Sequence, residues 1–339
     1  MKRLILTLFF CIRLFGQSPF STEMDSLIHR GIDQTFFCQF DSALNSFKEL
    51  TDAYPDHMVG YFYQAATLQT KMMDYETDLW EVEFYRLMNR SLELGEKQLD
   101  LGSDDPWIHF YMGSAYSYRG FYQAKSGSII KGFFSAKKGL RYLKKVLELD
   151  STLYDAHMGL GSYEYWSSSY LSWLPWIRDK RKEGIEKVRL SIEQGTFSYW
   201  VGLNNFAWIE YDRENYDKAL SIFQTGLDQY PNSRFFIWGI ADCYFKLEQW
   251  EKAVDVYEEL LLQILNGEVN NGYNEGEIRK KLFLANFELK KFEESYRYCK
   301  AILDRKVDKK IERRLKEHRQ LAEEYRMLCL EKLGRVYRR

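Results

Sequence analysis

The sequence has 339 residues, of which 45% are hydrophobic and 29% charged, with 48 Lys and Arg against 49 Asp and Glu for a formal net charge of -1. That balance excludes a disordered chain, and near-neutrality gives no bias toward nucleic acid. Only five prolines leave room for long helices and exclude a proline-rich or collagen-like chain.

The chain opens MKRLILTLFFCIRLFGQSPF. Lys2 and Arg3 precede an apolar run from Leu4 to Ile12, and Gly16, Gln17 and Ser18 follow. This is the pattern of a secretory signal peptide. Residues 1–17 are expected to be removed and the mature chain to reach the periplasm or cell envelope. Arg13 ends the apolar run well short of the ~20 residues of a membrane-spanning helix. No later stretch is long and apolar enough either, so no transmembrane segment is expected, although peripheral membrane contact stays open. Cys11 follows Leu8, Phe9 and Phe10 rather than the small residues of a lipidation site. The other cysteines, Cys38, Cys243, Cys299 and Cys329, form no CxxC pair. They read as small buried hydrophobes.

From residue 31 onward a pattern recurs. Gly31, Ala43, Phe47 and Pro55 stand at offsets 0, 12, 16 and 24, and Ala207, Ala219, Phe223 and Pro231 repeat them. Ala241, Ala253 and Tyr257 follow the same spacing until Leu265 replaces the proline, and Ala219 to Ala253 is 34 residues. An aromatic stands three residues before the second small residue each time: Phe40, Tyr216 and Trp250. Small residues at such spacing suit the crossing points of two packed helices. A proline suits the position just past the second helix, which it cannot continue. The pattern resembles the tetratricopeptide repeat (TPR), a helix–turn–helix unit.

The segments between are looser copies. Residues 58–101 read as a longer pair. Gly113, Tyr116 and Gly120 keep first-helix spacing, but KSGSIIKGFFSAKKG reads as an insertion that displaces the second helix. Gly161 marks the next unit, with EGIEKVRLSIEQG as its second helix. Residues 281–303 read as a copy whose turn is one residue short. The resemblance implies an all-α, right-handed α-α superhelix of about seven helix pairs over residues 18–303. A second similarity, in LPWIRDKRKEGIEKV (174–188), is to long-helix TPR proteins that include the yeast mitochondrial inclusion-clearance protein. It implies shared architecture only.

Chemistry leaves no signature. None of the five histidines has partners at metal-ligand spacing, and no P-loop, G-x-S-x-G elbow or G-x-G-x-x-G occurs. No cofactor or catalytic residue is expected. The amide-rich run NGEVNNGYNEGE (266–277) departs from the EF-hand template and reads as a polar loop between units.

The resemblance implies instead a concave groove lined by first helices. Its positions fall here on Trp107, Phe110 and Tyr118; on Tyr165 and Trp166; on Asn204, Trp208 and Tyr211; and on Phe235, Trp238, Asp242 and Phe245. Only Asn204 matches the Lys and Asn lining with which chaperone-binding TPR proteins clamp a peptide's terminal carboxylates. Aromatic faces with few polar groups suit an apolar peptide, a helix or a sugar-like ligand, unless tight coiling buries them as core. The tail, 304–339, carries 13 Lys and Arg against 7 Asp and Glu, with Ile311, Leu315, Ala322, Tyr325 and Cys329 at helical spacing. It reads as a basic C-terminal capping helix, or as an anchor to an acidic surface. The expected function is a non-catalytic, protein- or peptide-binding scaffold or adaptor of the cell envelope. The alternative is an envelope small-ligand-binding or transport-accessory protein that uses the aromatic groove.

Overall fold

The computed structural model describes residues 20–170 and 178–335. The signal segment and Pro175 lie outside them. Sixteen helices and no strand occur among the described residues. The first unit pairs α1 (Thr22–Phe36) with α2 (Phe40–Ala53), and the second pairs α3 (Met58–Asp74) with α4 (Glu81–Asp100). Then come α5 (Pro106–Lys125) with α6 (Ile129–Leu149), and α7 (Asp155–Tyr170) with α8 (Arg181–Gln194). The later units are α9 (Tyr199–Asp212) with α10 (Tyr216–Gln229), α11 (Arg234–Lys246) with α12 (Trp250–Leu265), and α13 (Tyr273–Glu288) with α14 (Phe292–Asp304). The tail adds α15 (Lys309–Arg314) and α16 (Lys316–Lys332).

Local chemistry sets several of these boundaries. The Asp105 carboxylate accepts from the Trp107 N–H at 2.9 Å, with Pro106 at the first helical position of α5. Asp308 caps α15 through the N–H groups of Lys310 and Ile311. The second helix of a unit buries one stripe, such as Ala43, Phe47 and Leu50 of α2, and turns polar residues to solvent. The first helices are packed on both sides. They bury residues around more of their circumference, as α11 does with Phe236, Ile237, Gly239, Ile240, Ala241 and Cys243. The small residues of the repeat lie where helices touch. A Cβ on Gly31 would stand 2.3 Å from the Phe47 ring, and Ala43, Ala207, Ala219, Ala241 and Ala253 are fully buried.

One turn joins the two helices of most units. Cys38, Glu214, Glu248 and Lys290 sit in the left-handed region at φ 58°, 62°, 57° and 59°, and Gly127 takes the same place at 91°. In each case the next residue's N–H bonds back across the helix end, as Gln249 N–H does to Tyr244 O at 2.9 Å. The 281–303 copy is therefore not a residue short, because Lys290 makes the same turn. The segment after Tyr122 is not an insertion either. It is the first half of α6, whose Gly132 and Gly139 face Gly120 and Gly113 of α5 so closely that backbone meets backbone.

The path of the solenoid returns to its own start. Phe36 of α1 stacks on Tyr230 and Phe236, with ring centroids 5.2 and 5.9 Å apart. Asp33 accepts from the Tyr230 hydroxyl at 2.6 Å. Asp74, at the end of α3, forms a buried ion pair with Arg234 at the start of α11. The 266–272 loop reaches the same helix end: Asn271 donates to Glu76 O, and Lys71 pairs with Glu268 at 2.8 Å. Lys310 and Arg314 of the tail pair with Asp78 and Glu76. At the other end, the expected single tail helix is broken at Leu315 into α15 and α16. Ile311, Leu315, Ala322 and Cys329 are buried, and Tyr325 packs on Phe283 and Phe287 of α13.

Candidate functional site

The groove positions read from the sequence all fall on α5, α7, α9 and α11, the first helices of four successive units. Their surroundings differ. Trp107 and Tyr165, expected in an open groove, are buried at 8% and 0% exposure. Trp107 is wedged between Phe20 and Phe197, at 5.9 and 5.6 Å, where the path returns past α1. The Tyr165 phenol is drawn inward to donate to Asp212 at 2.7 Å. Phe235 is half-buried, but its face is taken by Phe36 and Phe40. Tyr118 packs edge-on against Phe62, and burial raises its phenol above the ordinary tyrosine range.

The remaining positions, Phe110, Trp166, Asn204, Trp208, Tyr211, Trp238, Asp242 and Phe245, are half-buried. Trp166 donates its indole N–H to Asn205 at 2.9 Å, and Asn205 donates to Ser162 at 3.0 Å, which links α7 to α9. Trp208 packs on Phe223 and Tyr211, at 5.0 and 5.5 Å. Asp242 is held by the Tyr257 hydroxyl and by Lys281 at 3.2 Å, and Lys281 also lies over the Phe245 ring at 4.5 Å. Burial raises the Tyr257 phenol, and Asp242 raises it further, so the proton stays on tyrosine. Asn204 differs from these: its side-chain carbonyl is buried without a hydrogen-bond partner. A buried amide acceptor without a partner costs stability, and it is closed to solvent in this conformation.

Sequence spacing missed part of this layer. Phe62, Tyr63 and Tyr111 extend the aromatic cluster behind Trp107 and Tyr118, with the Tyr63 and Tyr111 hydroxyls 3.4 Å apart. They stand outside the groove register of the standard repeat, and the long helices of the second unit obscure that register. Asn205 and Ser162 gave no signal of their own. Elsewhere, burial pushes the Cys38 thiol up to about 11 and the Cys243 thiol to about 12, so neither is a reactive nucleophile at neutral pH. Among the described residues, no group of three or more His, Cys, Asp or Glu could hold a metal ion, and no helix is long and apolar enough to cross a membrane. Two concavities are lined by none of the groove positions. One, of about 580 Å3, is lined by α16 residues including Met327 and Leu330; the other, of about 250 Å3, lies between the start of α2 and Glu268.

The tetratricopeptide-repeat family model matches residues 210–270. No curated protein matches the chain. Among solved structures, a tetratricopeptide-repeat protein from Parabacteroides merdae is 15% identical, covering 89% of this chain and 100% of its own at a TM-score of 0.39. The C-terminal part of a TPR protein from Cytophaga hutchinsonii is 16% identical, covering 85% and 96%, at 0.42. Yeast Tom70 is 15% identical, covering 93% of this chain and 66% of its own, at 0.44. Residues 210–270 carry a tetratricopeptide repeat, and the chain folds as a solenoid of such helix pairs.

Proposed function

We propose that the protein is a non-catalytic scaffold that holds a protein or peptide partner against its first-helix layer. The observation that carries this reading is the half-buried aromatic surface of α7, α9 and α11. Rigid aromatic rings supply contact area at low entropic cost. The alternative is a small-ligand carrier; neither concavity described above is lined by a groove position. The signal-like pattern of residues 1–17 supports work in the periplasm or cell envelope.

The test is capture of partners from an envelope extract, read beside thermal unfolding. If the layer is a binding site, Trp208→Ala with Trp238→Ala should abolish capture at roughly 2 kcal/mol or more of binding energy per residue and leave the fold intact. A double variant that is folded and still captures the partner removes this surface from consideration. One destabilised by about 3–5 kcal/mol per site shows that the two tryptophans are core.

A further inference from the structure

Large apolar side chains gather in the open at one tip of the solenoid. Phe121, near the end of α5, and Ile129, Ile130, Phe133 and Phe134, at the start of α6, are between 52% and 75% exposed. Their exposure follows from how the two helices meet. A Cβ on Gly120 would stand 2.8 Å from the Gly132 carbonyl oxygen, and a Cβ on Gly132 would stand 2.6 Å from that of Gly120. With backbones this close, no bulky side chain fits between the helices, and the large residues turn outward. The hairpin is therefore held by its glycine seam and not by the apolar residues of its tip.

The same hairpin is basic. From residue 120 to 147 there are seven Lys or Arg and no Asp or Glu. Lys125 and Lys138 pair with Glu76 and Glu96. Lys131 and Lys137 are exposed, and neither makes an ion pair among the described residues. Antiparallel alternation puts the C-terminal end of α7 on the same edge. There Tyr170 is 72% exposed, and the Lys180 N–H donates to Ser168 Oγ at 3.0 Å, which brings the largely basic run 178–182 beside it.

We propose that this tip is a docking surface for an anionic phospholipid bilayer. The apolar side chains project from a narrow hairpin end; they do not line a hollow. A fluid interface can close around projecting rings, whereas a protein partner would have to supply a matching groove. Lysines flanking the rings meet lipid phosphates at the depth where the rings enter the acyl boundary. Residues 120–147 carry no Asp or Glu, and the nearby Glu76 and Asp179 are each paired with a basic side chain, Lys125 and Arg181.

The experiment is flotation of the full chain with vesicles of phosphatidylcholine alone or with about one third phosphatidylglycerol. Residues 1–17 combine an apolar run with Lys2, Arg3 and Arg13, so the comparison is between variants of one chain. Stronger binding to the anionic vesicles is expected, falling at least about tenfold in Ile130→Glu with Phe134→Glu, with unchanged melting. Lys131→Glu with Lys137→Glu should also weaken binding and flatten its dependence on salt. Equal binding to both vesicle types, or binding that neither pair of substitutions changes, overturns the proposal. So does self-association without lipid that Ile130→Glu with Phe134→Glu abolishes, which would assign the tip to a second copy of the chain.

Discussion

Glu248 occupies a left-handed backbone position that glycine adopts without steric cost. Its side chain is exposed. Glu248→Gly should therefore relieve the crowding at Cβ and stabilise the chain by about 0.5–1 kcal/mol, less whatever unfolded-chain entropy glycine adds. Urea unfolding checks it; a loss of stability would mean that the turn is not strained. Glu277 makes a second single-residue case. Burial works to raise its carboxyl, but hydrogen bonds from His318 and Lys280 outweigh it and hold the group at about 2. A depressed carboxyl stabilises the fold above its unfolded value near 4.5 and loses that contribution as pH falls toward 2. Protection of α16 amides, taken relative to their intrinsic exchange rates, should fall across that window, and Glu277→Gln should remove the dependence. At this scale the sequence was legible where a residue answers to its own helix. Ala43 and Phe47 could be placed at a helix crossing from spacing alone. Trp107 and Tyr165 could not be assigned to core, because their burial depends on Phe20, Phe197 and Asp212, which no local pattern connects to them.

Between elements, the contact with the most at stake is Asp74 with Arg234. Both residues are 9% exposed, and the guanidinium Nε lies 3.0 Å from each carboxylate oxygen. Burial works against the charge of Arg234, but Asp74 outweighs it and holds the guanidinium firmly protonated. Removing one partner strands the other. Asp74→Ala should cost about 3–5 kcal/mol, whereas Asp74→Leu with Arg234→Met should be near neutral, because the pair's own desolvation cost vanishes with it. Denaturant unfolding of both variants separates a needed charge pair from a merely tolerated one. Helix pairing itself was legible from the recurring small residues. The glycine-rich start of α6 was not. Glycine and serine in a run usually mark a loop, but here Gly132 and Gly139 are what allows α6 to lie against α5.

A solenoid whose repeats touch only their neighbours frays from its ends. This chain is built differently. Phe36 of the first helix shares a core with Ala207, Phe223, Tyr230 and Phe236, and Asp33, Lys71 and Asp74 bond to Tyr230 just past α10, to the 266–272 loop and to α11. Those contacts span a sequence separation of 160 residues and more, as Arg234 with Asp74 does, and they join loops and helix ends that carry no periodic signal. The repeat was therefore legible and its closure was not. Closure has a thermodynamic consequence. With the first unit tied to the fifth and sixth, opening α1 must also expose apolar surface on α10 and α11, so these units should open together. Native-state hydrogen exchange should then give amides in α1 and α11 opening free energies within about 1 kcal/mol of each other. Asp74→Ala should lower both, with the larger fall in α1, because α11 keeps its neighbours on either side. Protection that falls steadily from the middle of the chain toward α1 would show that the contacts between the first and later units are present but contribute little, and that the solenoid unfolds one pair at a time.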